Sequence, residues 1–199
     1  MAILTISRTY GCGGREIARE LASILGYHFF EKEIIPTMAQ KLDRSLEAAQ
    51  KHELTIELPL TSAVDIASFR IAALQKNSIT PREYVEALRT LFFEMVHRGN
   101  AIIIGRGSQF VLQNEPGVYH LRLVANLKDR MEHLRTEHLL RLLETDMVQK
   151  VQREERHRRE FLETHFQSDG EDPLLYHLTI NLSKISRQKA IDLIVNLVT

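Results

Sequence analysis

Short runs of apolar residues alternate along this chain with stretches in which apolar residues recur at helical spacing. The first run, Ile3–Ser7, is rich in β-branched residues and ends at a cluster of glycines, which is typical of a buried strand followed by a loop. Apolar residues then lie on one face of a helix from Ile17 to Leu25, and Gly26 is a natural stop signal. The pattern therefore predicts a strand, a glycine loop, a helix and a second strand at Tyr27–Phe30.

The same alternation continues toward the C-terminus. Thr80, Pro81 and Glu83 follow the order of a capping box with proline in the first turn, which predicts a helix that runs to about His97. The further predicted elements are strands at Ala101–Gly105, Val118–Ala125 and Leu178–Leu182, and helices after Asn126, across 144–165 and from Ser186. Strands that alternate with helices predict an α/β fold with a largely parallel sheet.

Length, charge and cysteine content narrow the class of protein. The 199 residues predict a single domain, 1–199, and we interpret 38–79 as a helical insertion within it. The 26 basic and 26 acidic residues give a net charge of zero, which provides no overall field for DNA, RNA or an anionic membrane. Cys12 is the only cysteine and no run of 18 apolar residues occurs, so we expect a cytoplasmic protein without disulfides.

The glycine loop is the first candidate for chemistry. Gly11, Gly13 and Gly14 lie between the first strand and the first helix, where unpaired first-turn amides and the helix dipole favour an anion. In the dinucleotide pattern G-x-G-x-x-G, Glu16 falls in the third glycine slot, although Glu31 stands at a suitable distance. A structural glycine turn without a ligand is the other interpretation.

The phosphate-binding pattern G-x-x-x-x-G-K-[ST] also fits only in part. If Gly14 is its second glycine, Arg15 takes the lysine slot, Glu16 the Ser/Thr slot and Thr9 the first glycine slot. Spacing within the loop thus favours a nucleotide phosphate without deciding between the two patterns.

Ordered motifs extend the analysis over nearly the whole chain. They are Ile6-Ser7-Arg8 with Tyr10 to Ala18, Phe30 to Ile35, Gly99 to Gly107, Asp129-Arg130, the group Arg156, Arg158, Arg159 and Phe161, and Leu175 to Asn181. In this order they resemble the cytidylate kinase-like family of P-loop proteins, from about Ile3 to Ile194.

This resemblance implies a P-loop type sheet of about five parallel strands flanked by helices, a helical substrate-binding insertion and an arginine-rich lid at 144–168. It implies phosphoryl transfer from ATP with Mg²⁺ to a small nucleotide acceptor of the CMP or dCMP type. The implied nucleotide-binding residues are Gly11, Cys12, Gly13, Gly14, Arg15, Glu16 and Arg130. The implied catalytic residues are Arg15, Glu31, Arg106, Arg153, Arg156 and Arg159.

Several positions depart from the family pattern. Arg15 replaces the lysine and Glu16 the Ser/Thr of the phosphate loop, and Gly107 stands where a Gly-Arg-Asp motif has its carboxylate. These departures keep open a second hypothesis, a nucleotide-binding regulatory or interaction protein with little or no kinase activity. A dinucleotide-dependent oxidoreductase is a third. The sequence identifies neither the acceptor, the ligands of Mg²⁺ nor the oligomeric state.

Overall fold

A five-stranded parallel sheet forms the centre of the computed structural model, which describes residues 2–31, 33–44, 49, 79–137 and 144–199. The order across the sheet is β2-β3-β1-β4-β5. The strands are β1 (Ile3–Arg8), β2 (His28–Phe30), β3 (Ala101–Ile104), β4 (Val118–Val124) and β5 (Leu178–Asn181). The predicted parallel α/β fold is therefore confirmed, with β1 in the middle of the sheet.

The described residues form seven helices, and several begin as the sequence predicts. Thr80 and Glu83 form the expected capping box, and the side chain of Asn126 accepts a hydrogen bond from the amide of Asp129 at 2.9 Å. Ser186 caps the last helix. The helices are α1 (Gly14–Leu25), α2 (Ile34–Lys41), α3 (Pro81–Arg98), α4 (Ser108–Val111), α5 (Leu127–Glu137), α6 (Glu144–Phe166) and α7 (Arg187–Val198).

Successive residues of the central strands point to opposite faces of the sheet, and each face is covered by helices. Leu4 and Ile6 of β1 pack with α1 and α7, whereas Ile3 packs in the cluster that contains α2 and α3. Ile102 and Ile103 of β3 divide between the two clusters in the same way. This burial on both sides explains why these strands show continuous apolar runs without polar alternation.

Helices α5 and α6 form a third, smaller cluster outside the sheet. Met131 and Leu134 of α5 contact Met147 and Val151 of α6, and the ring of Tyr10 packs against them. The helical pair is thereby packed against the glycine loop at the carboxyl end of β1.

The predicted insertion at 38–79 falls mostly outside the described residues. Helix α2 covers its start as far as Lys41, and the remainder of the prediction is untested. Among the helices of the described residues, none combines the length and the apolar character that a membrane crossing requires.

Candidate functional site

The carboxyl ends of β1, β2 and β3 bring three predicted segments together at one edge of the sheet. The glycine loop follows β1, Glu31 follows β2, and the turn Gly105–Gly107 follows β3. Ligands in open parallel sheets bind at this edge, outside the carboxyl ends of the strands. The segments singled out in the sequence are thus neighbours in space.

The glycine loop is held in a conformation that requires glycine at two positions. Gly11 and Gly13 have φ values of 81° and 80°, in the left-handed region, and Gly13 is the N-cap of α1. A Cβ atom on Gly11 would lie 2.8 Å from Cδ1 of Leu134, so the loop touches α5 directly. The first-turn amides of α1, which have no acceptor within the helix, face the end of the loop.

Side chains and backbone of β1 and β4 fix the base of the loop. The hydroxyl of Thr9 accepts a hydrogen bond from the amide of Ala125 at 3.3 Å, and the amide of Thr9 donates to the carbonyl of Leu123. Cys12 is buried beneath the loop, and burial raises the pKa of its thiol. The cysteine therefore acts here as a small packed side chain.

Four residues at the sheet edge form what we call the sheet-side cluster: Arg8, Arg15, Glu31 and Arg106. Nε of Arg15 lies 2.8 Å from the Glu31 carboxylate, and Nη2 of Arg8 lies 3.6 Å from it. Burial lowers the pKa values of Arg8 and Arg106 to about 10, while the negative charge of Glu31 opposes both shifts. At neutral pH both guanidinium groups stay protonated, so three cations surround one carboxylate.

The turn after β3 presents Arg106 from an unusual backbone. Gly105, Arg106 and Gly107 have successive φ values of 75°, 59° and 65°, and an arginine seldom adopts such a value. A Cβ atom on Gly105 would lie 2.7 Å from Nη1 of Arg8, and one on Gly107 would lie 2.1 Å from the ring of Phe166. The two glycines therefore make room for a guanidinium on one side and for the end of α6 on the other.

A second group, the helix-side cluster, consists of the Tyr10 amide, Arg130, Glu155 and Arg158. The amide of Tyr10 donates a hydrogen bond to Oε1 of Glu155. Nη1 of Arg130 lies 3.4 Å from the same oxygen, and Nη1 of Arg158 lies 3.3 Å from it. Helix α6 is thus joined to the glycine loop and to α5 through one carboxylate.

The three arginines of α6 that were predicted to be catalytic lie on another face of the helix than Arg158. Arg153, Arg156 and Arg159 are exposed, and of these Arg159 lines the cleft between α6 and the end of β1, which Arg8 and Arg158 also line. Burial lowers the pKa of Arg8, and the positive charge of Arg158 lowers it further.

The sequence contains a signal that would have identified the inward side of α6. Met147, Val151 and Leu162 are buried at spacings of four and eleven residues, which define one helical stripe. Glu155 and Arg158 continue this stripe at the missing positions. The three-residue repeat of arginines follows a neighbouring, exposed face.

A cavity of about 320 Å³ lies beside the glycine loop, on its α5 side. Its walls include Cys12 and Gly13 of the loop, Asp129 and His133 of α5, and Leu182 after β5. Nε2 of His133 lies 3.6 Å from the carboxylate of Glu16. The cavity adjoins the loop where a ligand bound through its phosphates could place the rest of its structure.

The acidic donors near the loop are few. Within the described ranges, no three His, Cys, Asp or Glu residues are grouped so that they could hold a metal ion. Glu16, Glu31, Asp129 and Glu155 are carboxylates beside the loop, and Glu31 and Glu155 each already face two arginines. Mg²⁺ commonly takes only one or two carboxylates when substrate phosphates and water supply the other ligands. The donors present fit an ion that arrives with a nucleotide.

The sheet order β2-β3-β1-β4-β5, with a glycine loop between its central strand and α1, is the kinase-like fold of the P-loop type that a solved shikimate kinase shares. The family model described as "Cytidylate kinase-like family" matches residues 3–184, and the chain belongs to that family. The resemblance noted in the sequence is thereby confirmed. Among curated proteins, no sequence matches this chain.

Two solved structures show the same fold. An uncharacterized protein from Eubacterium ventriosum ATCC 27560 has a TM-score of 0.71 and 14% identity, with 100% of this chain and 98% of that chain covered. Shikimate kinase from Bacteroides thetaiotaomicron has a TM-score of 0.50 and 10% identity, with 98% and 97% covered. At these identities the likeness concerns the fold alone.

Proposed function

We propose that this protein transfers a phosphoryl group from ATP to a small acceptor, namely a nucleoside monophosphate of the CMP or dCMP type. The proposal is carried by one observation, the convergence of Arg8, Arg15, Arg106 and Arg158 at the carboxyl edge of the sheet beside the glycine loop. Phosphoryl transfer depends mainly on positioning and on positive charge around the phosphates, and little on covalent help from the protein.

In this proposal the donor lies on the α5 side of the loop. The amides of Gly11–Arg15 would contact its phosphates, Arg130 would lie on the nucleotide side, and the 320 Å³ cavity would receive the nucleoside. Helix α6 would serve as the lid that excludes water, with Arg158, and the exposed Arg153, Arg156 and Arg159, as its cations.

The acceptor would bind on the β2–β3 side of the loop. Arg106 would face its phosphate, and Glu31 would hold Arg8 and Arg15 in place. Arg15 keeps the positive charge of the lysine slot, although a planar guanidinium and a compact ammonium bind phosphate differently. Mg²⁺ bound with ATP would neutralise phosphate charge, with Glu16 or Glu31 as the protein ligand or the contact to its water shell.

The decisive experiment measures ADP formation from Mg·ATP by the purified protein with a panel of acceptors, headed by CMP, dCMP and UMP. We expect one acceptor to stimulate ADP formation, and we expect Arg15→Ala to lose about tenfold or more of that rate, the cost of one charge-assisted hydrogen bond. Arg19→Ala is the matched control, because Arg19 is exposed on the same helix and lies over the ring of Phe29.

A second candidate function is a nucleotide-binding regulatory or interaction protein. The observation that favours it is the engagement of Arg15 by Glu31 at 2.8 Å, which keeps the guanidinium from serving the phosphates alone. Binding of ATP without stimulation by any acceptor of the panel would support this alternative and would overturn the kinase proposal for nucleoside monophosphates.

A further inference from the structure

Two hydrogen bonds and one further ion pair converge on one carboxylate oxygen of Glu155, and each brings an N–H group to it. The groups are the Tyr10 amide, Nη1 of Arg130 at 3.4 Å and Nη1 of Arg158 at 3.3 Å, and they come from the glycine loop, α5 and α6. Backbone amides and guanidinium groups are also the donors that commonly bind phosphate oxygens. The surroundings of Glu155 are therefore those of a bound anion.

Two of these donors are held in place without the carboxylate. Nη1 of Arg130 lies 3.3 Å from the carbonyl oxygen of Tyr10, and the side chain of Arg130 is only 13% exposed. The ring of Tyr10 packs in the small cluster between α5 and α6. The Tyr10 amide and Arg130 would thus keep their positions if the Glu155 side chain rotated away.

The side chain of Glu155 has room to rotate away from these donors. It is 28% exposed and lines the cleft between α6 and the end of β1, together with Arg8 and Arg159. Arg158 belongs to the same helix and can pair with Glu155 in either position, because residues three apart are neighbours on a helix surface.

We propose that the Tyr10 amide, Arg130 and Arg158 form an anion subsite for a nucleotide phosphate, and that Glu155 fills this subsite until the phosphate displaces it. The inference rests on the proposed function only in naming a nucleotide as the displacing anion. A protein whose competent state is only partly populated shows an apparent affinity reduced by that fraction. The Glu155 carboxylate therefore lowers nucleotide affinity and holds α6 against the loop in the absence of ligand.

The test compares the binding of two probes, Mg·ATP and inorganic tripolyphosphate, by calorimetry. We expect Glu155→Gln and Glu155→Ala to bind both probes about tenfold more tightly than the wild type, since a charge-assisted competitor is removed. Glu163→Gln is the matched control, because Glu163 is an exposed carboxylate on the same helix and should leave both affinities unchanged. Thermal unfolding verifies that each variant is folded. Glutamine keeps the size of the Glu155 side chain and alanine removes it, so the two variants separate the loss of charge from the loss of bulk.

A second readout follows the Tyr10 amide by hydrogen exchange and requires no turnover. Without ligand, we expect this amide to be protected in the wild type and to exchange faster in Glu155→Ala. Tripolyphosphate should restore protection in the variant. Equal or weaker binding of both probes by the Glu155 variants, or exchange of the Tyr10 amide that does not change, would overturn the proposal.

The outcome is separable from that of the kinase assay. Tighter binding of tripolyphosphate by the Glu155 variants, combined with no stimulation by any acceptor, would establish the subsite and refute the kinase proposal. Acceptor-dependent ADP formation, combined with unchanged affinities in the Glu155 variants, would support the kinase proposal and refute the subsite.

Discussion

Two arginine–glutamate clusters flank the glycine loop, and they differ in what their carboxylates join. Glu31 of the sheet-side cluster is 11% exposed and links β1, α1 and the end of β2, which already belong to one packed sheet. Glu155 of the helix-side cluster is more than twice as exposed and links the loop to α5 and α6, which meet it through a small apolar cluster. The arginine–glutamate pairs of Glu31 therefore lie within one packed unit, whereas those of Glu155 join separate elements, where we propose that a phosphate can replace the carboxylate.

This difference shows that the role of an ion pair follows from the packing around it. A pair between elements that are already held together orients its charges, and its loss leaves cations buried without a counter-charge. A more exposed pair, between elements that meet through a small apolar cluster, contributes less to stability, and an external anion can compete for it. The predictions below separate the two cases.

The largest effects should come from replacing one arginine in each cluster, Arg106 in the sheet-side cluster and Arg130 in the helix-side cluster. Arg106→Ala should lower acceptor-dependent turnover by about 100-fold or more, as expected for a cation that acts on transferring phosphate, and leave the Kd of ATP within about twofold. Arg130→Ala should instead raise the Kd of ATP about tenfold. Steady-state kinetics with the active acceptor and ATP calorimetry measure both. Equal losses of turnover and ATP affinity in Arg106→Ala would refute its assignment to the acceptor.

The two glutamates should differ clearly in their contribution to stability. Glu31→Gln removes the counter-charge of partly buried Arg8 and Arg15, so we expect the free energy of unfolding to fall by about 1–3 kcal/mol. Glu155→Gln, in a more exposed pair, should cost less than about 1 kcal/mol. Urea titrations of the two variants side by side measure this, and a larger loss in Glu155→Gln would invert the comparison.

The end of α6 offers a smaller and more local test, at the point where it meets the sheet side. Gly107→Ala would place a Cβ atom 2.1 Å from the ring of Phe166 at a φ of 65°, and we expect a loss of about 1–3 kcal/mol. Gly26→Ala is the control, since Gly26 has a similar φ of 66° and no atom within 4 Å of the new methyl group.

A double-mutant cycle isolates the contact between Gly107 and Phe166. Phe166→Leu should recover part of the loss caused by Gly107→Ala, and thermal unfolding of the four proteins gives the coupling. If Gly107→Ala costs no more than Gly26→Ala, α6 is not anchored at this turn.

The smallest effect concerns the thiol of Cys12, on which arginines of both clusters act. Burial raises the pKa of its thiol, while Arg158 from one cluster and Arg8 from the other favour the thiolate. At pH 8 a thiol reagent should therefore react more slowly with the folded protein than with the protein in urea. The reaction rate of a free thiol levels off above about pH 9, whereas the rate of the folded protein should still rise there. Arg158→Met and Arg8→Met should each slow the reaction by about twofold. A rate that levels off near pH 8 would contradict the shift.

The strands of the sheet and the helix caps could be predicted from the sequence because their signals are local. The apolar run of β3, the capping box at Thr80 and the Asn126 cap each specify a structure within a few residues. Glu31, Arg15 and Arg106 were also named from the sequence, and the structure brings these three together because strand exits share one edge.

Contacts that depend on the tertiary arrangement could not be predicted from local sequence signals. Arg8 was not named as a site residue, because its position depends on Gly105, almost one hundred residues away, which has no Cβ atom to exclude it. Glu155 was not named from the sequence, and Arg158 was named only within the arginine-rich motif and not among the catalytic residues, because the exposed arginine repeat hid the buried stripe of α6. Which face of a charged helix turns inward is decided by its partner, here α5 and the glycine loop.

The turn Gly105–Gly107 has a consequence for how this sequence can change over generations. A side chain at 105 would push away the guanidinium of Arg8, and one at 107 would meet Phe166. A substitution at either position would also strain a backbone whose φ values are 75° and 65°. The two positions that flank Arg106 are therefore restricted by backbone conformation and packing, and this restriction holds whether or not a ligand touches them.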